Sequence, residues 1–104
     1  MKRLKLALKR KWFDMIASGE KTEEYREINE YWVKRLTEDG VIKHFDVVHF
    51  TLGYPKSTDL ERHIMRYIED ITIGTGNPEW GAEPNKKYFV IKFVRSNPKS
   101  TIPA

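Results

Sequence analysis

The sequence has no cysteine, which excludes disulfide bonds and thiolate metal ligands. It also lacks any apolar run near the roughly 20 residues that a membrane-spanning helix needs. Its basic start has neither the apolar stretch nor the small-residue cleavage site of a secretion signal. The three histidines show no short metal-ligand spacing. We therefore expect a cytoplasmic protein with no membrane partner, no bound metal and no cofactor.

The size and composition are those of one small globular domain. The chain has 104 residues, of which 33% are charged and 39% are hydrophobic. A chain of this length is expected to bury a single core. We predict one domain over residues 1–96, acting as a monomer, and a flexible tail over residues 97–104.

Positive charge is in excess and is unevenly distributed. The net charge is +4, and basic residues are concentrated before the first acidic residue, Asp14. A cationic edge attracts phosphates and favours RNA, DNA or nucleotides as partners, although the same residues can serve only solubility. The predicted basic patch comprises Arg3, Lys5, Lys9, Arg10 and Lys11.

Hydrophobic periodicity predicts three elements in the first 40 residues. Leucines alternate with other residues over 4–8, which is typical of a half-buried strand. Apolar spacing predicts a helix over Lys11–Ser18, with Gly19 as its C-terminal cap. A second helix is expected from the N-cap residue Asn29 through Leu36, with a stop at Asp39-Gly40.

The rest of the chain reads mainly as strands. β-branched and aromatic residues predict strands over Phe45–Leu52 and Tyr88–Val94. Residues 60–71 also fit a helical stripe, but the β-branched residues near its end favour a long strand over Arg62–Ile73. A glycine- and proline-rich loop is expected over Gly74–Pro84. The fold class is α+β, with a small curved sheet closing into a barrel.

The segment after the first helix is the main candidate site, because it brings an ammonium, a carboxylate and a guanidinium within six residues. Alternation along an extended run predicts two sides, with Thr22, Glu24 and Arg26 on one and Lys21, Glu23 and Tyr25 on the other. Glu24 and Arg26 are therefore expected to pair.

These features together resemble the ASCH domain family of the PUA-like superfamily. The resemblance is specific over residues 4–36 and rests on the opening strand, Trp12-Phe13-Asp14-Met15-Ile16, the Gly19-Glu20-Lys21-Thr22 turn, Glu24-x-Arg26 and Tyr31-Trp32-x-Lys34-Arg35-Leu36. It implies a PUA-like β-barrel of about five to six strands with two or three short flanking helices. It also implies a cleft lined by Gly19, Lys21, Glu24 and Arg26.

The resemblance implies binding of RNA or of a nucleotide or nucleoside. Lys21 and Arg26 would contact phosphates or carbonyls, and Glu24 would accept from a base or orient Arg26, with Gly19 and Thr22 beside them. Some members of the family are amidohydrolases that act on acylated cytidine nucleosides. They carry a threonine nucleophile three residues after the lysine, where this chain has Glu24, and a carboxylate does not replace a hydroxyl as acyl acceptor.

Several alternatives stay open at the level of sequence. The chain could be a metal-independent hydrolase of acylated cytidine or of RNA, with Lys21 and Glu24 as catalytic residues. It could be a protein-interaction module that uses the basic edge and the Trp80 loop. Trp80 could stack on a base or pin its loop to the core. In a purely structural interpretation, Glu24 and Arg26 pair on the barrel wall and Lys21 is solvated.

Overall fold

The structure is a computed structural model that describes residues 1–96, so the expected tail over 97–104 lies outside the described residues. Two short 3-10 turns, Leu60–Arg62 and Pro78–Trp80, accompany the regular elements. The elements in chain order are β1 (Arg3–Leu8), α1 (Arg10–Ala17), β2 (Glu23–Glu27), α2 (Glu30–Leu36), β3 (Thr37–Glu38), β4 (Val41–Ile42), β5 (Val47–Leu52), β6 (His63–Thr75) and β7 (Lys87–Phe93).

Five strands form one curled sheet in the order β1-β5-β6-β7-β2. β1 runs parallel to β5, and the other three neighbouring pairs are antiparallel. β6 is long enough to pair with β5 through its first half and with β7 through its second half. A register shift between Ile68 and Asp70 lies between the two halves. Because such irregularities bend a strand and increase its twist, this shift helps to curl the sheet into a half-barrel.

The fold class is confirmed as α+β, with the sheet curled as a half-barrel and two α-helices beside it. β1 and β2 are the edge strands, and α1 connects them along the chain. The connection is short, so the two edges of the curled sheet face each other across a narrow opening. Glu24 and Arg26, two of the predicted site residues, lie at this opening.

α1 begins and ends one residue earlier than predicted, at Arg10 and Ala17. Phe13 and Ile16 are its buried residues, which follows from their spacing of three along a helix. Gly19 has a φ of 85°, the left-handed conformation that glycine adopts without a Cβ clash, and its N–H donates to the Ile16 carbonyl. The chain therefore turns sharply and enters β2 close beneath the helix.

α2 is capped and ends as predicted, but the residues that follow it differ from the prediction. The Asn29 Oδ1 accepts a hydrogen bond from the Trp32 N–H at 3.0 Å. The helix ends at Leu36, and the expected stop at Asp39-Gly40 is instead the tip of a short hairpin between β3 and β4. Both tip residues have positive φ, 52° and 78°, which suits a two-residue hairpin turn.

The ambiguous segment is a strand, as predicted, and it is longer than predicted. β6 continues through Gly74 and Thr75, which the sequence placed in the loop, because both pair with β7. Gly74 is compatible with an extended strand, so its presence did not mark the end of the element. The loop itself covers residues 76–86.

The core lies inside the curl of the sheet and is closed by the two helices. A second, smaller cluster of Tyr25, Ala82, Tyr88 and Val90, with Trp80 against it, packs on the other side of β7. Within residues 1–96 no helix is long and apolar enough to span a membrane. The main core comprises Leu4, Leu6, Leu8, Phe13, Ile16, Leu36, Phe45, Val48, Phe50, Leu52, Ile64, Ile71, Phe89, Ile91 and Phe93.

Candidate functional site

A cleft of about 460 Å³ lies between the two edge strands. The end of β1 and the start of α1 form one wall, and β2 forms the other. α2 and the 76–86 loop contribute the remaining sides through Trp32 and Trp80. We call this the base cleft, and its volume lies within the roughly 300–1,000 Å³ of small-molecule sites.

All three tryptophans of the chain, Trp12, Trp32 and Trp80, line the base cleft. Each of them is only partly buried, so part of its surface stays open to solvent. The tyrosine rings of Tyr25 and Tyr88 lie in the same lining, 5.8 Å apart between centroids. Tryptophan is large and is usually mostly buried. Here all three tryptophan side chains instead lie on one concave surface.

Lys21 lies under this cleft and is almost fully buried, with 1% of its surface exposed. Its backbone N–H donates to the Met15 carbonyl, so the turn at Gly19 fixes it against the end of α1. The purely structural interpretation of a solvated lysine is therefore wrong. The predicted alternation is also wrong for this residue, because Lys21 precedes β2 and its ammonium reaches the side of Glu24.

The Lys21, Glu24 and Arg26 side chains converge, as the motif predicted. The Lys21 Nζ lies 2.6 Å from the Glu24 Oε1, and the Arg26 Nη2 lies 3.1 Å from the Glu24 Oε2. Both carboxylate oxygens are thus held by cations, in a group that is only 5% exposed. The pairing of Glu24 with Arg26 is confirmed, and Lys21 completes a charged triad. Burial lowers the pKa of Lys21, while the Glu24 carboxylate opposes that shift.

Lys21 also holds the loop that carries Trp80. Its Nζ donates to the Trp80 carbonyl oxygen at 2.9 Å and lies over the rings of Trp12 and Tyr25, 4.8 and 5.4 Å from their centroids. The two acceptors and the two aromatic faces offset part of the cost of burying this ammonium. Lys21 therefore organises the floor of the cleft and does not itself line it.

The 76–86 loop is anchored at several points. The Tyr25 hydroxyl accepts from the Asn77 N–H at 2.9 Å, and the Asn77 side chain caps the 3-10 turn that ends at Trp80. Gly81 follows with a φ of 102° and leaves space for the Trp12 ring, which a Cβ would meet at 3.0 Å. Trp80 packs against the second cluster and also lines the cleft, so both roles considered for it are compatible with its position.

Arg26 joins the two edges of the sheet. Its Nη2 donates to the Ala7 carbonyl of β1 at 3.2 Å, and its guanidinium lies 5.3 Å from the centre of the Trp32 ring. Its Nε is buried and has no hydrogen-bond partner among the described residues. Arg26 is therefore a planar cation in the wall of the cleft, with 20% of its side chain exposed.

The rim of the base cleft carries acidic residues that a lysine neutralises. Glu27 and Glu83 line the cleft, and the Lys86 Nζ pairs with both, at 2.8 and 3.0 Å. Lys9 is a further cation in the lining. The cleft thus has mixed charge and is rich in aromatic rings, which suits a flat polar molecule better than a dense anion.

A second cavity, of about 370 Å³, adjoins the base cleft. The two share Ala7, Arg26 and Trp32, so the Arg26–Trp32 contact forms the partition between them. We call the second cavity the outer cleft. Its remaining lining residues are Lys5, Leu6, Tyr31, Arg35, Thr51 and Tyr54.

The predicted basic patch is exposed throughout but does not form one surface. Lys5 lines the outer cleft and Lys9 lines the base cleft, while the Arg10 guanidinium is drawn to Asp14 at 3.5 Å. Lys11 lies over the Trp12 ring, and Arg3 lies near the start of β1. The patch therefore divides between the two clefts and the exposed side of α1.

Two of the predicted ligand-binding residues, Gly19 and Thr22, act through the backbone. Neither lines the base cleft, and the Thr22 carbonyl accepts from the Phe93 N–H of β7. In contrast, Trp12 and Trp32 line the cleft and were not predicted as site residues. The motif residues gave no signal for them, because nothing local in a sequence shows that three distant tryptophans converge.

Comparison with protein-family models, with curated proteins and with solved structures gives no match for this chain. The geometry of the two clefts is therefore the basis on which a function is proposed.

Proposed function

We propose that this chain is an RNA- or nucleotide-binding domain of the ASCH type, with a small PUA-like barrel and a base-binding cleft between β1 and β2. One observation carries the proposal: all three tryptophans line one cleft beside the Arg26 guanidinium. A nucleobase is flat, apolar on its faces and polar on its edges. Partly exposed indole rings next to a fixed planar donor are complementary to both properties.

The charged triad supports this function by fixing the donor. Lys21 holds one oxygen of Glu24 and Arg26 holds the other, so Glu24 orients the guanidinium of Arg26. The sequence left open whether Glu24 accepts from a base or orients Arg26, and its engaged oxygens favour the second role. Lys21 acts as a positioning residue, because it fixes both Glu24 and the Trp80 carbonyl.

The fold is compatible with the proposal. The half-barrel sheet with two helices is compatible with a small barrel-like domain, and Glu24 and Arg26 of the motif lie at the opening between the edge strands. Gly19 makes the turn that leads into the buried Lys21. Lys21 and Arg26 then hold the Glu24 carboxylate between them.

Binding of labelled single-stranded RNA, measured by fluorescence anisotropy across a salt series, tests the proposal. We expect affinity to fall as salt increases, because contacted phosphates release counterions. Trp80→Ala should weaken binding by about 5- to 150-fold, which corresponds to the loss of about 1–3 kcal/mol of base stacking. Leu60→Ala is the matched control, since Leu60 is 78% exposed and lines neither cleft. Absent or salt-independent binding contradicts the proposal.

A hydrolase is the second candidate, and one observation favours it. Burial lowers the pKa of Lys21, as general-base catalysis by a lysine requires. Against this, the ammonium already donates to Glu24 and to the Trp80 carbonyl. Incubation with N-acylated cytidine tests this activity. Release of the carboxylic acid by the wild type but not by Lys21→Met would establish a hydrolase, and no release by the wild type would exclude this candidate.

A further inference from the structure

The outer cleft differs from the base cleft in its charge. Three cations, Lys5, Arg26 and Arg35, line it, and among the described residues no carboxylate does. The base cleft is lined by two cations and three carboxylates, Glu24, Glu27 and Glu83. Two cavities that share a wall therefore offer different chemistry, one suited to a flat polar group and the other to an anion.

The cations of the outer cleft are held in place by the edge of the sheet. The Arg35 Nη2 donates to the Lys5 carbonyl at 2.7 Å, and its Nη1 donates to the Tyr31 hydroxyl at 3.2 Å. Its guanidinium also lies 5.4 Å from the centre of the Trp32 ring. Within residues 1–96 no carboxylate pairs with Lys5 or Arg35. Their charge is therefore available to a ligand.

The outer cleft also has exposed aromatic rings. Tyr54 is 95% exposed and Tyr31 is 60% exposed, and both lie in its lining. A tyrosine with almost no packing contributes nothing to the core, and it can offer a ring face to a partner. Cations with adjacent exposed aromatic rings are the combination that single-stranded nucleic acids use, through phosphate contact and base stacking.

We propose that the outer cleft is a second subsite that binds the phosphate and the neighbouring nucleotide of a single strand whose first base occupies the base cleft. The inference rests on the proposed function and deepens it, because it makes the ligand a strand of at least two nucleotides and not a free nucleoside. Arg26 lies at the step between the two subsites, where the phosphodiester would pass. Its side chain is 20% exposed and belongs to the lining of both clefts.

The test compares nucleosides with the corresponding dinucleoside monophosphates, which add one phosphate and one nucleoside. Cytidine, uridine, adenosine and guanosine are titrated beside CpC, UpU, ApA and GpG, with the three tryptophan indole N–H signals followed by NMR. We expect the dinucleoside monophosphate to bind about tenfold tighter or more, as one further stacked base implies. Its log–log salt slope should be about −0.7 for one phosphate, whereas the nucleoside should show almost no slope.

Two substitutions of exposed residues test whether the outer cleft causes the higher affinity for dinucleoside monophosphates. Tyr54→Ala and Lys5→Gln should each reduce the ratio of the two affinities, and Lys5→Gln should also make the salt slope shallower. Lys87→Gln is the matched control, because Lys87 is exposed on β7 and lines neither cleft. Circular dichroism checks that each variant is folded.

The outcomes separate the two proposals. If neither ligand class shifts the indole signals, the proposed function and the second subsite both fail. If nucleosides bind but the dinucleoside monophosphates bind no tighter, or if the affinity ratio is unchanged in Tyr54→Ala and Lys5→Gln, the second subsite is overturned and the base cleft stands.

Discussion

The Arg26 Nη2 lies 3.2 Å from the carbonyl oxygen of Ala7, and this hydrogen bond connects the two edge strands of the sheet. No backbone ladder joins β1 to β2 within the described chain. The same nitrogen contacts the Glu24 carboxylate at 3.1 Å, so one side chain links the edge of the sheet to the buried triad.

Replacement of Arg26 should destabilise the fold even when the charge is kept. Arg26→Lys retains a cation but loses the planar guanidinium whose Nη2 contacts both Ala7 and Glu24. We expect the free energy of unfolding to fall by about 1.5–3 kcal/mol, as for loss of a hydrogen bond to a charged group. Urea denaturation measures this change. Arg10→Lys is the control, because the Arg10–Asp14 pair is solvent-exposed and should contribute less than about 0.5 kcal/mol. Equal stability of the two variants contradicts the prediction.

Two glycines close together in sequence should respond differently to the same substitution. A Cβ at Gly76 would lie 2.6 Å from a Tyr25 ring carbon and 2.7 Å from the Ala82 Cβ, whereas a Cβ at Gly74 meets nothing within 4 Å. Gly76→Ala should therefore lower the free energy of unfolding by about 1–3 kcal/mol through overpacking. Gly74→Ala should change it by less than about 0.5 kcal/mol. Thermal unfolding of both variants checks this, and a well-tolerated Gly76→Ala would show that the loop is not tightly packed on Tyr25.

His49 should make stability depend on pH. Its Nε2 lies 2.8 Å from the Nδ1 of His63, and burial, together with nearby His63, Arg3 and Lys5, lowers its pKa from 6.5 to about 4. Between these values the unfolded chain binds a proton that the folded chain does not. The free energy of unfolding should therefore fall as pH decreases from 6.5 to 4, by up to about 1.4 kcal/mol per pH unit.

Urea titrations at several pH values measure this contribution of His49. His49→Gln should flatten the dependence in that window, and His44→Gln, at an exposed position, should leave it in place. A wild-type slope retained in His49→Gln would assign the effect to other groups.

Binding of a nucleobase should change the intrinsic fluorescence, because every tryptophan of the chain lines the base cleft. We expect nucleosides to quench the emission in a saturable manner and ribose 5-phosphate, which lacks a base, to leave it unchanged. Trp80→Phe should lose part of the quenching and keep an aromatic face. Quenching that is identical in Trp80→Phe and the wild type would place the base away from the 76–86 loop.

The periodic elements could be predicted from the sequence, because their signals are local. The alternating leucines of β1, the capped turn at Asn29 and the β-branched run of β6 each determine their own element. The β3–β4 hairpin was missed because each strand has only two residues. A two-residue strand carries no measurable period.

The pairing within the candidate site could be predicted from the sequence, but the burial of its residues could not. The spacing of Glu24 and Arg26 predicts their pairing, since both lie within β2. The burial of Lys21 was not predictable, because it depends on the Trp80 carbonyl, 59 residues away in the chain. Alternation applies only inside a strand, and Lys21 lies before it.

The width of the opening between β1 and β2 is set by side chains rather than by a ladder. Arg26 of β2 donates a hydrogen bond to the Ala7 carbonyl of β1, and Arg35 of the neighbouring α2 donates one to the Lys5 carbonyl. Hydrogen bonds from charged groups contribute about 1.5–3 kcal/mol each. Substitution of the two arginines would therefore remove these links while every strand-to-strand backbone pairing stays in place. The stability of this side of the sheet depends on the same guanidinium groups that line the two clefts.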